Sequence, residues 1–310
     1  KNEKLAKFHE LFVEKEIGFG SQYTCVEFPN GERRRMTREE KEDPSCLPKG
    51  TRVFRTLDMH SSGRTDSCVF DFEFNGEICS PHRGRSWKTN KNGIQTLIKK
   101  NRLIKLGDSP EYVLYYDDFP VTALTNIWND TQGATDKKYV VQTSEKVIQR
   151  CMLMTTDPGD LVLDITCGSG TTAYVAEQWG RRWITCDTSR IAITLAKQRL
   201  MTATFDYYKL AHPEQGVGSG FIYKTVPHIT LGSIANNEPP ATETLYDQPE
   251  IDKTKIRITG PFTVEALPAP VVKPLDDVSD WDEDSTAKQT DWRDQLLATG
   301  ILGRGGSRLE

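Results

Sequence analysis

The sequence has no paired-cysteine signature. Its seven cysteines, at positions 25, 46, 68, 79, 151, 167 and 186, are scattered over 310 residues. None forms a C-x-x-C pair, and no Cys/His group has zinc spacing. An odd, dispersed set without a secretion signal excludes a disulfide framework and points to reduced thiols in a cytoplasmic protein, with no metal expected. Long apolar runs are missing too: none approaches the ~18 residues of a membrane-crossing helix, so no membrane association is expected. There is no internal repeat and no targeting pattern. Excess positive charge is also absent. Forty Lys and Arg stand against 44 Asp and Glu, a net charge of −4, so affinity for nucleic acid would have to come from a local patch. The chain starts at Lys1 without a methionine and closes on Gly-Gly-Ser-Arg-Leu-Glu, so both ends are expected to be edges of a longer protein.

What is present suits a folded protein: 36% hydrophobic, 27% charged and 9% aromatic residues, enough for one large domain or two modest ones. Leu5, Phe8, Leu11 and Phe12 fall at helical spacing, which predicts a helix over 1–14. Short strand-like runs at 22–28 and 67–74 are separated by polar turns. Residues 81–105 hold eight Lys/Arg and no carboxylate, with Ile94, Leu97 and Ile98 as an apolar stripe, so a short basic-flanked helix is expected there. In an acidic chain that asymmetry suggests contact with phosphates through Arg83, Arg85, Lys88 and Lys91. A strand at 112–116, a turn through 117–120 and an amphipathic helix over 144–154 follow, the last with Ser144 as its N-cap. Past residue 215 the chain turns proline-rich and then acidic, with six carboxylates in 276–284, and is expected to be weakly structured.

The clearest organisation lies at 158–200. Leu161, Val162 and Leu163 read as a strand of the fully buried kind, ending at Asp164. The tight loop Ile165-Thr166-Cys167-Gly168-Ser169-Gly170 leads into a helix from Thr171 and Thr172. A second strand, 183–186, ends at Asp187, and a further helix runs to Leu200. This is a βαβα run of the doubly wound type. Two glycines let the chain turn sharply after a strand, so that backbone N–H groups at the helix start face a ligand. A carboxylate ending the next strand, as Asp187 does, can accept bonds from the ribose hydroxyls of an adenosine-containing cofactor. The third glycine of the dinucleotide fingerprint is absent, which argues against a nicotinamide oxidoreductase.

The run Asp164-Ile165-Thr166-Cys167-Gly168-Ser169-Gly170-Thr171-Thr172-Ala173 resembles the cofactor loop of amino-methylating (beta-type) DNA methyltransferases. The likeness is greatest to the modification subunits of type III restriction systems. The segment from Gln142 to Arg150 resembles the Q-K-P-x-x-L-x-x-R element ahead of that loop, with Thr143 and Ser144 replacing Lys and Pro. Residues 80–87 resemble the P-x-x-G-R-S-W element between the two halves of these enzymes, and residues 126–130 resemble the later part of the catalytic subdomain. The likeness covers about residues 65–205.

The resemblance implies an α/β, Rossmann-like S-adenosylmethionine-dependent methyltransferase fold in permuted order, with irregular N- and C-terminal extensions. It divides the chain into a mixed segment at 1–80 that could hold target-recognition material, a core at 81–215 with the cofactor half at 139–200, and an extension at 216–310. It implies S-adenosyl-L-methionine as cofactor, held by Asp164 to Thr172 and Asp187, with Gln142 and Ser144 as further pocket residues. The implied partners are double-stranded DNA and either a restriction subunit or a second methyltransferase chain. Adenine N6 is the expected target, with cytosine N4 as the alternative. The family's catalytic D/N/S-P-P-Y/F tetrapeptide does not occur, and Glu238-Pro239-Pro240-Ala241 lacks the aromatic and lies on the wrong side of the loop. The catalytic residues are therefore unknown, and the chain is expected to be inactive alone. A non-catalytic DNA-binding module on the same fold is the rival reading.

Overall fold

The computed structural model describes residues 6–131, 133, 142–266, 290–291, 293–294, 301–302 and 308–309. The chain divides into two compact units, residues 1–259 and 260–310.

In the first unit the elements are β1 (Phe12–Glu14), β2 (Cys25–Glu27), β3 (Arg33–Arg35), α1 (Arg38–Glu42), β4 (Arg52–Asp58), β5 (Phe72–Phe74), β6 (Glu77–Cys79), α2 (Lys91–Lys99), β7 (Leu103–Ile104), β8 (Glu111–Tyr115) and β9 (Val121–Ala123). Then come α3 (Glu145–Thr155), β10 (Leu161–Asp164), α4 (Thr171–Gln178), β11 (Arg182–Thr185), α5 (Arg190–Thr202), β12 (Thr204–Tyr208), β13 (Tyr223–His228), α6 (Leu231–Ala235), β14 (Ala241–Pro249) and β15 (Ile251–Ile258). Of the second unit, a short antiparallel pair is described, β16 (Ile301–Leu302) and β17 (Arg308–Leu309). The acidic run at 276–284 lies outside the described residues.

The N-terminal part is built on a five-stranded antiparallel sheet ordered β3-β2-β4-β8-β7, which draws strands from both sides of residue 80. Helix α2 packs on it as its sequence requires. Asn90 caps it by accepting the Gly93 N–H at 2.9 Å, and Ile94 and Leu97, one turn apart, are fully buried beside Met59, Trp87 and Tyr112.

The helix expected over 1–14 is not formed within the described residues 6–14. Residues 12–14 instead form β1, antiparallel to β9, with Phe12 opposite Ala123. Leu11 enters one core cluster and Phe12 another, while Phe8 lies exposed. Adjacent residues facing opposite ways is the alternation of a strand, and a long-range partner overrides the local helical spacing.

The 158–202 region is the Rossmann-like βαβα unit read from the sequence. β10 and β11 are parallel, in the register Leu161–Arg182 to Asp164–Thr185. Val162 and Trp183 pack under α4 with Val175, Ala176 and Trp179. The expectation that β10 is buried on both faces does not hold. Leu161 is 53% exposed, Leu163 63% and Ile184 53%, whereas Val162 and Trp183, which alternate with them, are the residues that pack against α4. Ile256 and Ile258 of β15 are bare too, on the side away from Arg257, which reaches Glu177 at the end of α4. Residues 223–258 are more ordered than their sequence suggests: β13 pairs with β14, and β12 with β15, both antiparallel. Among the described residues no helix is long and apolar enough to cross a membrane.

Candidate functional site

The loop after β10 is held at each step by backbone geometry. Asp164 closes the strand by accepting the Thr166 N–H at 2.9 Å. The parallel ladder then continues past the strand ends: Cys186 N–H donates to the Asp164 carbonyl at 3.0 Å, and Cys167 N–H to the Cys186 carbonyl at 2.9 Å. Gly168 and Gly170 follow in the left-handed region, at φ 51° and 76°, where a side chain would be strained. Gly170 is also the residue before α4 and lies flat against α5. A Cβ there would sit 2.7 Å from the Ala196 Cβ. Gly170 thus supplies the close packing that a third glycine provides in the dinucleotide fingerprint.

Asp187 joins the two halves of this turn. Its carboxylate accepts the Gly168 N–H at 2.8 Å on one oxygen and the Ser189 N–H at 2.8 Å on the other. These backbone donors, Ser189 first and then Gly168, hold its carboxyl below the ordinary aspartate value. The sequence suggests a ribose contact for Asp187; the structure also makes it the clamp of the loop. A depressed value means the clamp is intact above the ordinary aspartate range and is lost only as pH falls below it. Ligand affinity at this site should therefore not vary through Asp187 between about pH 5 and pH 8, and should fall on acidification below about pH 4. Asp187→Asn, which puts an amide N–H against one of the two backbone donors, should weaken ligand binding at least about tenfold at pH 7 by isothermal titration. An affinity equal to the parent's would show that the clamp is dispensable.

Beside the loop lies a cavity of about 300 Å³. Of the sequence-derived site residues, Gln142, Asp164, Thr166, Cys167, Gly168, Ser169, Thr171 and Thr172 line it. Thr143, Ile148 and Leu163 line it as well and had no place in the expected set. Ile165 is exposed, Gly170 packs on α5, Ser144 caps α3 without a side-chain bond, and Asp187 does not line the cavity but bonds the Gly168 N–H. Burial pushes the Cys167 thiol up, so it stays protonated and serves as lining, not as a nucleophile. Arg199 was missed altogether. Its guanidinium donates to the Ser169 carbonyl at 3.3 Å and to Thr171 Oγ1 at 3.1 Å, and it pairs with Glu145 of α3. It lies at the far end of α5, and no local pattern marks it. Among the described residues no cluster of His, Cys, Asp and Glu could hold a metal ion.

The basic segment is only partly free. Arg102, half-buried, pairs with the buried Asp118, and Lys105 pairs with Glu77. Arg85 lies 3.7 Å from Asp58, and Lys88 Nζ donates to the Asp58 carbonyl at 2.6 Å. Arg83 and Lys91 are exposed. The segment resembling the later catalytic subdomain makes a compact knot: Arg150, itself buried, holds Asp130 through two bonds of 2.7 Å and lies over the Trp128 ring.

Residues 77–198 match the family model described as DNA methylase. A type II methyltransferase of Streptococcus pneumoniae, M2.DpnII, is 40% identical over 63 residues, 20% of this chain and 24% of that protein. M.EcaI of Enterobacter cloacae, also a type II methyltransferase, is 27% identical over 166 residues, 51% of this chain and 35% of that protein. The chain thus spans about a quarter to a third of the length of these curated relatives. A solved structure of M1.HpyAVI in complex with SAM overlaps 31% of this chain and 52% of its own, at 21% identity and a TM-score of 0.22.

Proposed function

We propose that this chain carries the S-adenosylmethionine-binding part of an amino-methylating DNA methyltransferase. The observation that carries the reading is the clamped glycine loop at the ends of two parallel strands, bordering a cavity, inside the segment that matches the DNA methylase family. The Asp164 carboxylate and the exposed Thr166, with Gly168, Ser169 and Thr171 also lining the cavity, suit a ligand that is both cationic and rich in hydroxyls. When bound, the cofactor supplies an electrophilic methyl group on a sulfonium. This chain's own residues bind and orient it: Asp187 fixes the loop, Arg199 fixes the start of α4, and Ile148 and Leu163 give the cavity its apolar wall.

The acceptor in this reading is an exocyclic amine of DNA, adenine N6 or cytosine N4. The loop sequence favours kinship with type III modification subunits, whereas the relatives named above are type II enzymes. Isothermal titration should show one S-adenosylmethionine per chain, with Asp187→Ala abolishing it. Tighter binding of a nicotinamide dinucleotide would overturn the reading.

An amine is a poor nucleophile here until polar acceptors and a stacking ring hold it toward the methyl group. No D/N/S-P-P-Y/F tetrapeptide supplies them in these 310 residues. We therefore expect this chain alone to transfer no tritiated methyl to mixed-sequence unmethylated DNA. Incorporation above background that disappears in Asp187→Ala would refute that expectation. The same absence favours the second reading, a DNA-binding module on a methyltransferase fold. Asp187→Ala separates the two: a cofactor role predicts lost donor binding with unchanged DNA affinity.

DNA contact is assigned to Arg83, Arg85, Lys88 and Lys91. Reversing Arg83, Arg85 and Lys88 together should weaken duplex binding at 50 mM salt about tenfold or more, and flatten its salt dependence. An unchanged slope would reduce the segment to a solvated face.

A further inference from the structure

The element at 80–87 has a feature that phosphate contact does not use: a column of three rings that begins in the core and ends at the surface. Trp87 is its root. The indole is 1% exposed, donates to the Phe70 carbonyl at 2.8 Å, and meets Phe72 edge-on at 5.2 Å. His60 lies against it at 4.7 Å between ring centroids, tilted 34°, and the two residues also share an antiparallel bridge. His60 is fixed in turn by Asp58, whose carboxylate lies 2.6 Å from Nδ1. His82 completes the column, stacked on His60 at 4.1 Å and 22°.

His60 is buried, and His82 is exposed. Since one face of the His82 ring rests on His60, its exposure belongs to the other face and the edge. Ser109 Oγ lies 3.4 Å from its Nε2 and helps fix the ring's orientation. Arg83 and Arg85 leave the same turn, which is closed by Arg85 N–H donating to the His82 carbonyl at 2.9 Å. The result is a flat aromatic face backed by a column of stacked rings, on a turn that also carries the exposed Arg83 and Arg85, the latter with its guanidinium 3.7 Å from the Asp58 carboxylate. A nucleobase with its adjoining phosphates has the complementary form: a π face for the ring and negative charge for the flanks.

We propose that the outer face of His82 stacks on a single DNA base that has left the duplex stack, with Arg83 and Arg85 on the neighbouring phosphates. A base inside B-form DNA has both faces covered by its neighbours, so the occupant is an unpaired or extruded base. The inference rests on the DNA-binding reading above but not on S-adenosylmethionine.

The test uses the full chain and two duplexes of the same sequence, one perfectly paired and one carrying a single unpaired 2-aminopurine. The parent chain should bind the second more tightly and quench the 2-aminopurine fluorescence. His82→Ala should lose about tenfold of that affinity and the quenching, while keeping its affinity for the paired duplex and its salt slope. His82→Tyr should restore both. A merely structural role for His82 would lower the thermal midpoint without abolishing the quenching selectively. Preference and quenching retained in His82→Ala would overturn the proposal and leave the DNA reading standing. A parent chain that binds neither duplex at 50 mM salt would overturn both.

Discussion

Gly170→Val should unfold the cofactor loop and destabilise the first unit together. Two costs add at this position. The backbone sits at φ 76°, where an L side chain costs about 1–2 kcal/mol. The new Cβ would lie 2.7 Å from the Ala196 Cβ and 3.0 Å from its Cα, inside the contact between the α4 start and α5. Overpacking of that kind costs about 1–3 kcal/mol. The sum, about 2–5 kcal/mol, should lower the thermal midpoint by roughly 5–15 °C in a protein of this size. S-adenosylmethionine binding should fall below detection. Gly170→Ala with Ala196→Gly would remove most of the steric cost and keep the backbone cost, so the pair should recover part of the stability. An unfolding free energy of Gly170→Val, from urea denaturation, within about 0.5 kcal/mol of the parent would show that α5 simply moves aside.

Asp118→Ala should be the most damaging single change outside the loop. The carboxylate is 2% exposed and accepts Arg102 Nη1 at 2.5 Å, Arg102 Nη2 at 2.8 Å and the Tyr115 N–H at 2.8 Å. Its backbone carbonyl accepts Ile229 N–H at 2.9 Å, so the same residue fastens the end of β8 to the chain just past β13. Truncation leaves a largely buried guanidinium without its counter-ion and an amide without an acceptor. Such breaks cost about 3–5 kcal/mol. Replacing both partners, Arg102→Met with Asp118→Leu, removes the unpaired charge and should cost much less. The comparison, by urea denaturation of the two variants, isolates the penalty of the orphaned cation. Equal losses would assign the damage to packing instead.

The sequence made the 158–202 region legible because its signals are local. A strand, two glycines, a helix and an acid ending the next strand lie within one short stretch, and each has a meaning at its own position. The rest depends on partners far away in the chain. Phe12 reads as helical until β9 is known to lie beside it. Leu161 and Leu163 read as buried, since an apolar run cannot report that α4 packs against the alternate residue, Val162. The antiparallel sheet of β2, β3, β4, β7 and β8 is made of runs of two to seven residues. Its strands could be suspected singly, but their order and register come from pairings such as Phe54 with Tyr115. At the site, Gly168 and Asp187 were visible in the sequence, but the bond that joins them was not. Arg199 was invisible, because an arginine at a helix end looks like any solvated side chain until the Ser169 carbonyl is placed under it.

The pairing of β1 with β9 also sets a timetable. Residues 7–15 find their partners at Thr122, at Met154 and in the Asp157–Asp160 turn, all made much later in synthesis. On a ribosome adding roughly 5–20 residues per second, this segment emerges several seconds before these partners do. During that time it displays Phe8, Leu11, Phe12 and Val13, a short apolar stretch with an open backbone edge. Chaperone capture or misassociation of nascent chains should therefore concentrate on this segment. Closing the β1–β9 pair then becomes the event that protects the stretch.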